Sequence, residues 1–432
     1  MRSPRFLGVL KVLVFATVLG GLVLGAGPRA ESAHAQFTPT NGKIAFAVTD
    51  AFTVSSPIYT INPDGSGQTQ LTSEYDFRPV WSPDGTKIAF HSLRDEPAPL
   101  SCDQFCNYEV YVMNADGSGL TRLTNHFAAD ITPVWSPDGT KIAFLSNRLG
   151  LQDDIYVMNA DGSGQTQLTS SSAPDTSAVW SPDSSKIAFE SERDANDEIY
   201  VMNADGSGQT NLTNDSADDY APAWSPDGMK IAFYRELAEG NTDVLAMSAD
   251  GSAETNLTNH PAPDYAPAWS PDGTKIAFER VSAEGNADVY VMNADGSGQL
   301  NLTNSPTYDF EPTWSPDGTK IAFSVIADYG HRYQFAIHTR NTDGSGDAVL
   351  LSPRATGCCN VDWQSLPPVG GLAELPRLDG GQAEVARTPS KAGGSSGLGV
   401  AVLAGVAAAG AVAMGGAGWY AGCQIRRRRL TR

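Results

Sequence analysis

Six aspartates recur at one position of a repeated stretch: Asp76, Asp130, Asp175, Asp219, Asp264 and Asp309. Each stands five residues before a tryptophan. Carboxylates that return at a fixed spacing can be gathered around one opening, where they attract a hard cation such as calcium or a basic peptide. The same spacing suits a second arrangement, in which each aspartate caps its loop or pairs with an arginine such as Arg94, Arg148, Arg193, Arg235 or Arg280. His91, His126, His260 and His331 fall in or near loops on the same side of the repeats, in four different units. Loop histidines can hold a catalytic metal, but only where they converge. Cys102 and Cys106 lie in one insertion and Cys358 and Cys359 are neighbours, so these four are the disulfide candidates, within or between the two loops. The series Asn-Ala-Asp-Gly-Ser-Gly superficially resembles a calcium loop, but lacks the later bidentate glutamate and reads as a plain hairpin.

The elements that position these residues come from a ten-residue stretch, Trp81 to Phe90, with near copies beginning at Trp135, Trp180, Trp224, Trp269 and Trp314. A strand ends in Trp, and Ser-Pro-Asp-Gly makes a tight turn with glycine in the left-handed position. Lys-Ile-Ala-Phe then returns as the next strand. In the copy at Trp180, Ser184 stands where glycine is expected, which predicts a strained or different turn. Further along each unit come a strand such as Glu109 to Met113, an Asp-Gly hairpin and a short strand with a Leu-Thr ending. Four short strands in about 45 residues make one blade of a β-propeller. Lys-Ile-Ala-Phe elements begin at 43, 87, 141, 186, 230, 275 and 320, and Trp strands end at 81, 135, 180, 224, 269, 314 and 363. The fold class is therefore all-β, a seven-bladed propeller of four-stranded blades, with six blades as the alternative. The first unit lacks a Trp strand and the last Trp strand lacks a hairpin partner, so the C-terminal strand should pair with the first unit and close the ring. The alanine of Lys-Ile-Ala-Phe and the Trp series are expected in the core between blades.

Trp-Ser-Pro-Asp-Gly followed by Lys-Ile-Ala-Phe, Ile-Tyr-Val-Met and the Leu-Thr ending resembles the WD-like repeats of TolB-type propellers, over residues 41 to 365. The resemblance implies a propeller used as a binding platform. Some propellers of this kind are metal-dependent lyases, and others precede a hydrolase domain; no Gly-x-Ser-x-Gly elbow occurs here outside the repeats.

Residues 1–35 read as a signal peptide: Arg2, Arg5 and Lys11 precede the apolar run Val12 to Leu24, and Ala33-His34-Ala35 offers a cleavage site. The propeller takes residues 36–365. Residues 366–396 form a flexible stalk, and residues 397–421 a transmembrane helix, uncharged from Leu398 to Tyr420. The basic tail 422–432, with Arg426 to Arg429, marks the cytoplasmic side. Residues 36–370 carry 45 acidic and 17 basic side chains, a net of −28. That charge excludes nucleic acid as a partner. The expectation is a monomeric, single-pass, cell-surface propeller that binds a protein or a cell-envelope glycan without catalysis. Its alternative is a metal-assisted polysaccharide lyase or another hydrolytic enzyme.

Overall fold

The chain enters on three strands that lack an inner neighbour from their own unit: β1 (Thr40–Thr49), β2 (Ile58–Ile61) and β3 (Thr69–Gln70). The next unit is complete. It comprises β4 (Asp76–Trp81), β5 (Lys87–Ser92), β6 (Glu109–Asn114) and β7 (Thr121–Arg122), antiparallel in meander order. In this computed structural model the residues described are 40–49, 55–95, 107–150, 152–237, 240–328, 333–355, 357–358 and 360–366. The signal segment 1–35, nearly all of the stalk, the 397–421 segment, the basic tail, His331, Cys102, Cys106 and Cys359 lie outside them. Cys358 is described as backbone only, opposite Val48. No helix among the described residues is long and apolar enough to cross a membrane.

Seven sheets form among the described residues, and the alternative of six blades does not apply. The seventh is built from both ends of the chain. Strand Asp362–Leu366 lies along β1, with Ile44 opposite Trp363 and Thr40 opposite Leu366. The inner strands touch one another in sequence all round, and Asp362–Leu366 meets β4 on one side and the strand Tyr308–Trp314 on the other. Blades are numbered here by their Trp strand, 1 (Trp81) to 7 (Trp363).

Each turn after a tryptophan has the geometry that its residues dictate. Gly85 sits at φ 67°. Its N–H donates to Ser82 O at 2.8 Å, and Ser82 Oγ donates to Asp84 Oδ1 at 2.6 Å. Ser184 adopts the same turn at φ 60°, with its N–H donating to Ser181 O at 2.9 Å. Strain is therefore tolerated there and the turn is not remodelled. The Ser184 hydroxyl also accepts the Asp138 N–H of the neighbouring blade at 3.1 Å. A Cβ at Gly228 would meet nothing nearer than 3.7 Å, whereas one at Gly85 would stand 2.6 Å from Ser365 O on the closing strand. Gly228→Ala should therefore cost about 1 kcal/mol from the left-handed backbone alone. Gly85→Ala carries the same strain plus a backbone clash, and should cost about 2 kcal/mol or more. Chemical denaturation of the two variants checks the difference; equal losses would mean that the closing strand yields freely.

The core is distributed between blades. Ala45, Ala89, Ala143, Ala188, Ala232, Ala277 and Ala322 are fully buried, each where two sheets approach too closely for a larger side chain. The tryptophans lie in the same layers: Trp81 joins Ile88, Phe90, Tyr111 and Met113 against Ala45 and Ile58 of the closing blade. Trp180, Trp269, Trp314 and Trp363 each donate Nε1–H to a carbonyl of the preceding inner strand, at 3.0–3.2 Å. The tryptophan series is packing, as expected.

Candidate functional site along the propeller axis

Five of the six aspartates begin their inner strands and Asp309 is the second residue of its own; the five are taken up by arginines. Asp76, Asp130, Asp175, Asp219 and Asp264 are fully buried. Arg235 forks onto Asp219 with Nε at 2.7 Å and Nη2 at 2.9 Å, and Arg280 onto Asp264 at 2.6 and 2.8 Å. Arg94 reaches Asp76 at 2.6 Å, Arg148 reaches Asp130 at 3.0 Å, and Arg193 reaches Asp175 at 2.9 Å. In blades 4 and 5 the arginine stands directly opposite the aspartate in the ladder. Most of these guanidiniums also lie over a Phe and a Tyr of their own blade, as Arg193 does over Phe189 and Tyr200. Asp309 faces Val325 in place of arginine and accepts the Thr307 hydroxyl at 2.7 Å. An open ring of six carboxylates is thus not what the chain builds. The physical reason is burial: a desolvated carboxylate needs a charged partner at hand, and five blades supply one.

The blades differ from one another elsewhere. All six complete inner strands carry a β-bulge just after the aspartate, with two residues opposite one. The bulged residue, three before Trp, is left-handed without being glycine: Arg78, Thr132, Ser177, Ala221, Ala266 and Glu311, at φ 49–54°. Proline follows it in five blades, where its missing N–H costs the ladder nothing. Next to the bulge stands one cross-strand pair per blade: Phe77–His91, Ile131–Leu145, Thr176–Glu190, Tyr220–Tyr234, Tyr265–Glu279 and Phe310–Ser324. These positions change type from blade to blade while the turns and β-core stay almost constant. Between the inner strands of blades 7, 1 and 2 the bulged residues Arg78 and Thr132 border a cavity of about 50 Å³, together with Asn360.

Hydrogen bonds tie this tier together between blades. The Ala221 N–H donates to Glu190 Oε1 at 2.6 Å, and the Glu311 N–H donates to Glu279 Oε1 at 2.7 Å. Thr176 Oγ1 donates to Glu190 Oε2 at 3.1 Å. Tyr234 lies against Tyr220 with ring centroids 5.3 Å apart and planes tilted by 30°, and meets Tyr265 edge-on at 5.3 Å. Glu190 and Glu279 both act electrostatically on the Tyr234 phenol. The tier is polarised: blades 1 and 2 offer Phe77, Ile131, Leu145 and the Arg78 cation, and blades 3 to 6 offer three carboxyls and three tyrosines.

Burial raises the carboxyl pKa values here. Glu279 is pushed up to about 7, Glu311 to about 8 with Glu279 adding repulsion, and Asp362, buried behind the Trp81 N–H, to about 7. A carboxyl raised in the native state binds its proton more tightly folded than unfolded. Between about pH 4.5 and pH 8 the native chain therefore holds more protons, and stability falls as pH rises. Thermal unfolding should occur at a higher temperature at pH 5.5 than at pH 8, with the gap narrowed in Glu279→Gln. A midpoint that rises across that window would contradict the assignment.

The histidines do not converge among the described residues. His91 is buried between Phe77 and Tyr108, its pKa held down to about 3 by burial and by Arg78. Nδ1 of His126 accepts the Ala128 N–H at 3.2 Å, and Nδ1 of His260 accepts the Ala262 N–H at 3.0 Å. Among the described residues no group of three or more His, Cys, Asp or Glu side chains is placed to hold a metal ion. The Asp-Gly hairpins close on themselves: Asp116 Oδ1 accepts the Ser118 N–H at 2.9 Å and its hydroxyl at 2.6 Å.

The family described as TolB beta propeller domain matches residues 150–262 and 222–346. The chain carries a TolB-type β-propeller. The Tol-Pal system protein TolB of Geobacter sulfurreducens is 37% identical over 81 residues, 18% of this chain and 16% of that protein, so only a small part of the relative is matched. Among solved structures, an oligogalacturonate lyase of Vibrio parahaemolyticus aligns with a TM-score of 0.53 at 14% identity, covering 73% of this chain and 86% of that one. A puromycin-hydrolyzing peptidase of Mycobacterium tuberculosis aligns at 0.54 and 15% identity, covering 78% and 54%. At these identities the likeness is one of fold. A propeller of this fold thus occurs in proteins with and without enzymatic names. In the sequence the tier is marked only by the positions at which otherwise near-identical repeats differ, beside the recurring aspartates.

Proposed function

We propose that this chain is a non-catalytic, extracytoplasmic binding scaffold. Its propeller is tethered to a membrane through residues 397–421 and holds a protein partner at the axial tier. The observation that carries the reading is where the repeats diverge. Turns, core and Asp–Arg pairs are repeated and serve the fold, while the paired residues beside the bulge are individual to each blade, and eight of those twelve are ionisable or aromatic. The partial match to a Tol-Pal system protein supports a protein as the partner, and a cell-envelope glycan is the alternative occupant. A photo-crosslinking residue in place of Thr132, in the full chain in its own membrane, tests this. A discrete protein adduct is expected; an adduct with polysaccharide alone, or none, overturns the protein reading.

The enzymatic alternative rests on the likeness to a lyase and requires a resident metal. It is set against the loop histidines His91, His126 and His260, which lie apart, each with Nδ1 accepting a backbone N–H. After chelation, calcium or manganese should leave the unfolding midpoint unchanged within about 1 °C, because only an ion bound to the native state stabilises it. A rise of several degrees would move the assignment to a metal-dependent enzyme.

A further inference from the structure

We propose that the wall of the axial tier formed by blades 3 to 6 is a binding site for an alkylammonium group, held between Glu190, Glu279 and Glu311 and the rings of Tyr220, Tyr234 and Tyr265. The inference deepens the binding role proposed above and rests on it.

Four observations converge. Glu190 and Glu279 occupy the same repeat position in blades 3 and 5, with Tyr234 at that position in blade 4 between them. Each glutamate accepts the N–H of a bulged residue in the next blade on Oε1, and Glu190 also accepts the Thr176 hydroxyl on Oε2, which sets the carboxyl plane while each carboxylate oxygen has a second lone pair. Glu311 Oε2 is fully buried and accepts no hydrogen bond. A buried acceptor without a donor is costly unless a proton or a cation meets it. Finally, three tyrosine rings stand within 5.3 Å steps of one another beside these carboxyls, and aromatic faces attract an ammonium through their quadrupole.

The chemistry favours ammonium over other cations. Three N–H donors match carboxylate and phenol acceptors from several directions, and the methylene chain packs on tyrosine and on the bulge alanines Ala221 and Ala266. A hard divalent ion requires six or more oxygens and gains nothing from rings. Arg78 acts electrostatically on Glu311, and its charge keeps the ammonium on the Glu190–Glu279 side of the tier. Such an ammonium belongs either to a lysine side chain of a partner or to a free diamine.

Isothermal titration of the full chain in detergent tests the site, with cadaverine and N-acetyl-lysinamide as probes and magnesium chloride as the control. Saturable binding of an alkylammonium is expected, weakened at least ten-fold in Glu190→Gln/Glu279→Gln and unchanged in Asp64→Asn, which removes one surface charge far from the axis. Affinity should also rise several-fold from pH 6 to pH 8, as the carboxyls lose their protons. The glutamine variant should remain folded, since it removes buried charge. Its melting curve verifies this. Comparable affinity for the two probes assigns the site to lysine of a partner, and clear preference for cadaverine assigns it to free diamines. Absence of saturable binding overturns the proposal. So does equal weakening in Asp64→Asn, which would reduce the effect to the overall charge, or magnesium competing at equal concentration. If ammonium binding fails while the protein adduct at Thr132 persists, the scaffold reading stands without this site.

Discussion

Arg235→Met should lower the unfolding free energy by about 3–5 kcal/mol, the usual loss when one partner of a buried ion pair is removed. Asp219 is fully buried, and both its oxygens are engaged by Arg235, at 2.7 and 2.9 Å. Burial already pushes the Asp219 carboxyl up to about 6 with the arginine beside it. Without the guanidinium the group must either remain charged in a low-dielectric site or take up a proton at neutral pH. Methionine keeps most of the volume over Phe233, so the loss reports the charge and not a cavity. For a propeller of this size the midpoint should fall by roughly 10 °C. The double variant Asp219→Val/Arg235→Met should recover most of it, because a buried pair replaced by apolar groups of similar volume is close to neutral. A single variant within about 1 kcal/mol of the parent, measured by denaturant titration, would show that water reaches the pair and that these aspartates are less structural than their geometry implies.

Opening the ring should do more damage still. Strand Asp362–Leu366 is the inner strand of the closing blade, and four side chains bolt it and β1 to the neighbouring blades. Asp362 Oδ2 accepts the Trp81 N–H at 2.7 Å, and Gln364 Nε2 donates to Gly85 O at 2.7 Å. On the other side, Trp363 Nε1 donates to Thr313 O at 3.2 Å, and Asn41 Oδ1 accepts the Asp317 N–H at 3.1 Å. Trp363→Ala should cost about 3–5 kcal/mol from lost burial and the cavity left behind. Deleting residues 362–366 should abolish the cooperative transition, because it also bares the inner edge of β1, which then pairs with other chains. Soluble aggregates in size-exclusion chromatography, with increased binding of a hydrophobic dye, are the expected signs. A deletion variant that stays monomeric and melts as the parent does would mean that six blades suffice.

Much of this architecture is local and periodic, and so it was legible in the residues. Ser-Pro-Asp-Gly encodes its own turn, since proline presets one dihedral, aspartate caps the loop N–H groups and glycine accepts the left-handed position. Seven recurrences of Lys-Ile-Ala-Phe set the blade number, and an unmatched Trp strand at one end with an unmatched hairpin at the other predicted the closure that the pairing of Asp362–Leu366 with β1 realises. The place of Ser184 was visible too, although not that its turn would keep the shape of its glycine counterparts. What tertiary structure alone decided was which charges meet. In blades 4 and 5 the arginine follows the phenylalanine by two residues and in blades 1 to 3 by four, yet in all five the guanidinium lands on the same aspartate, because a long side chain reaches either way once the sheet is folded. The bulge could not be seen either: nothing in Arg78 or Glu311 announces a left-handed residue, and it is the crowding of strands around an axis that makes one. That twist carries Glu190, Tyr234, Glu279 and Glu311, from four different repeats, to one tier of the propeller.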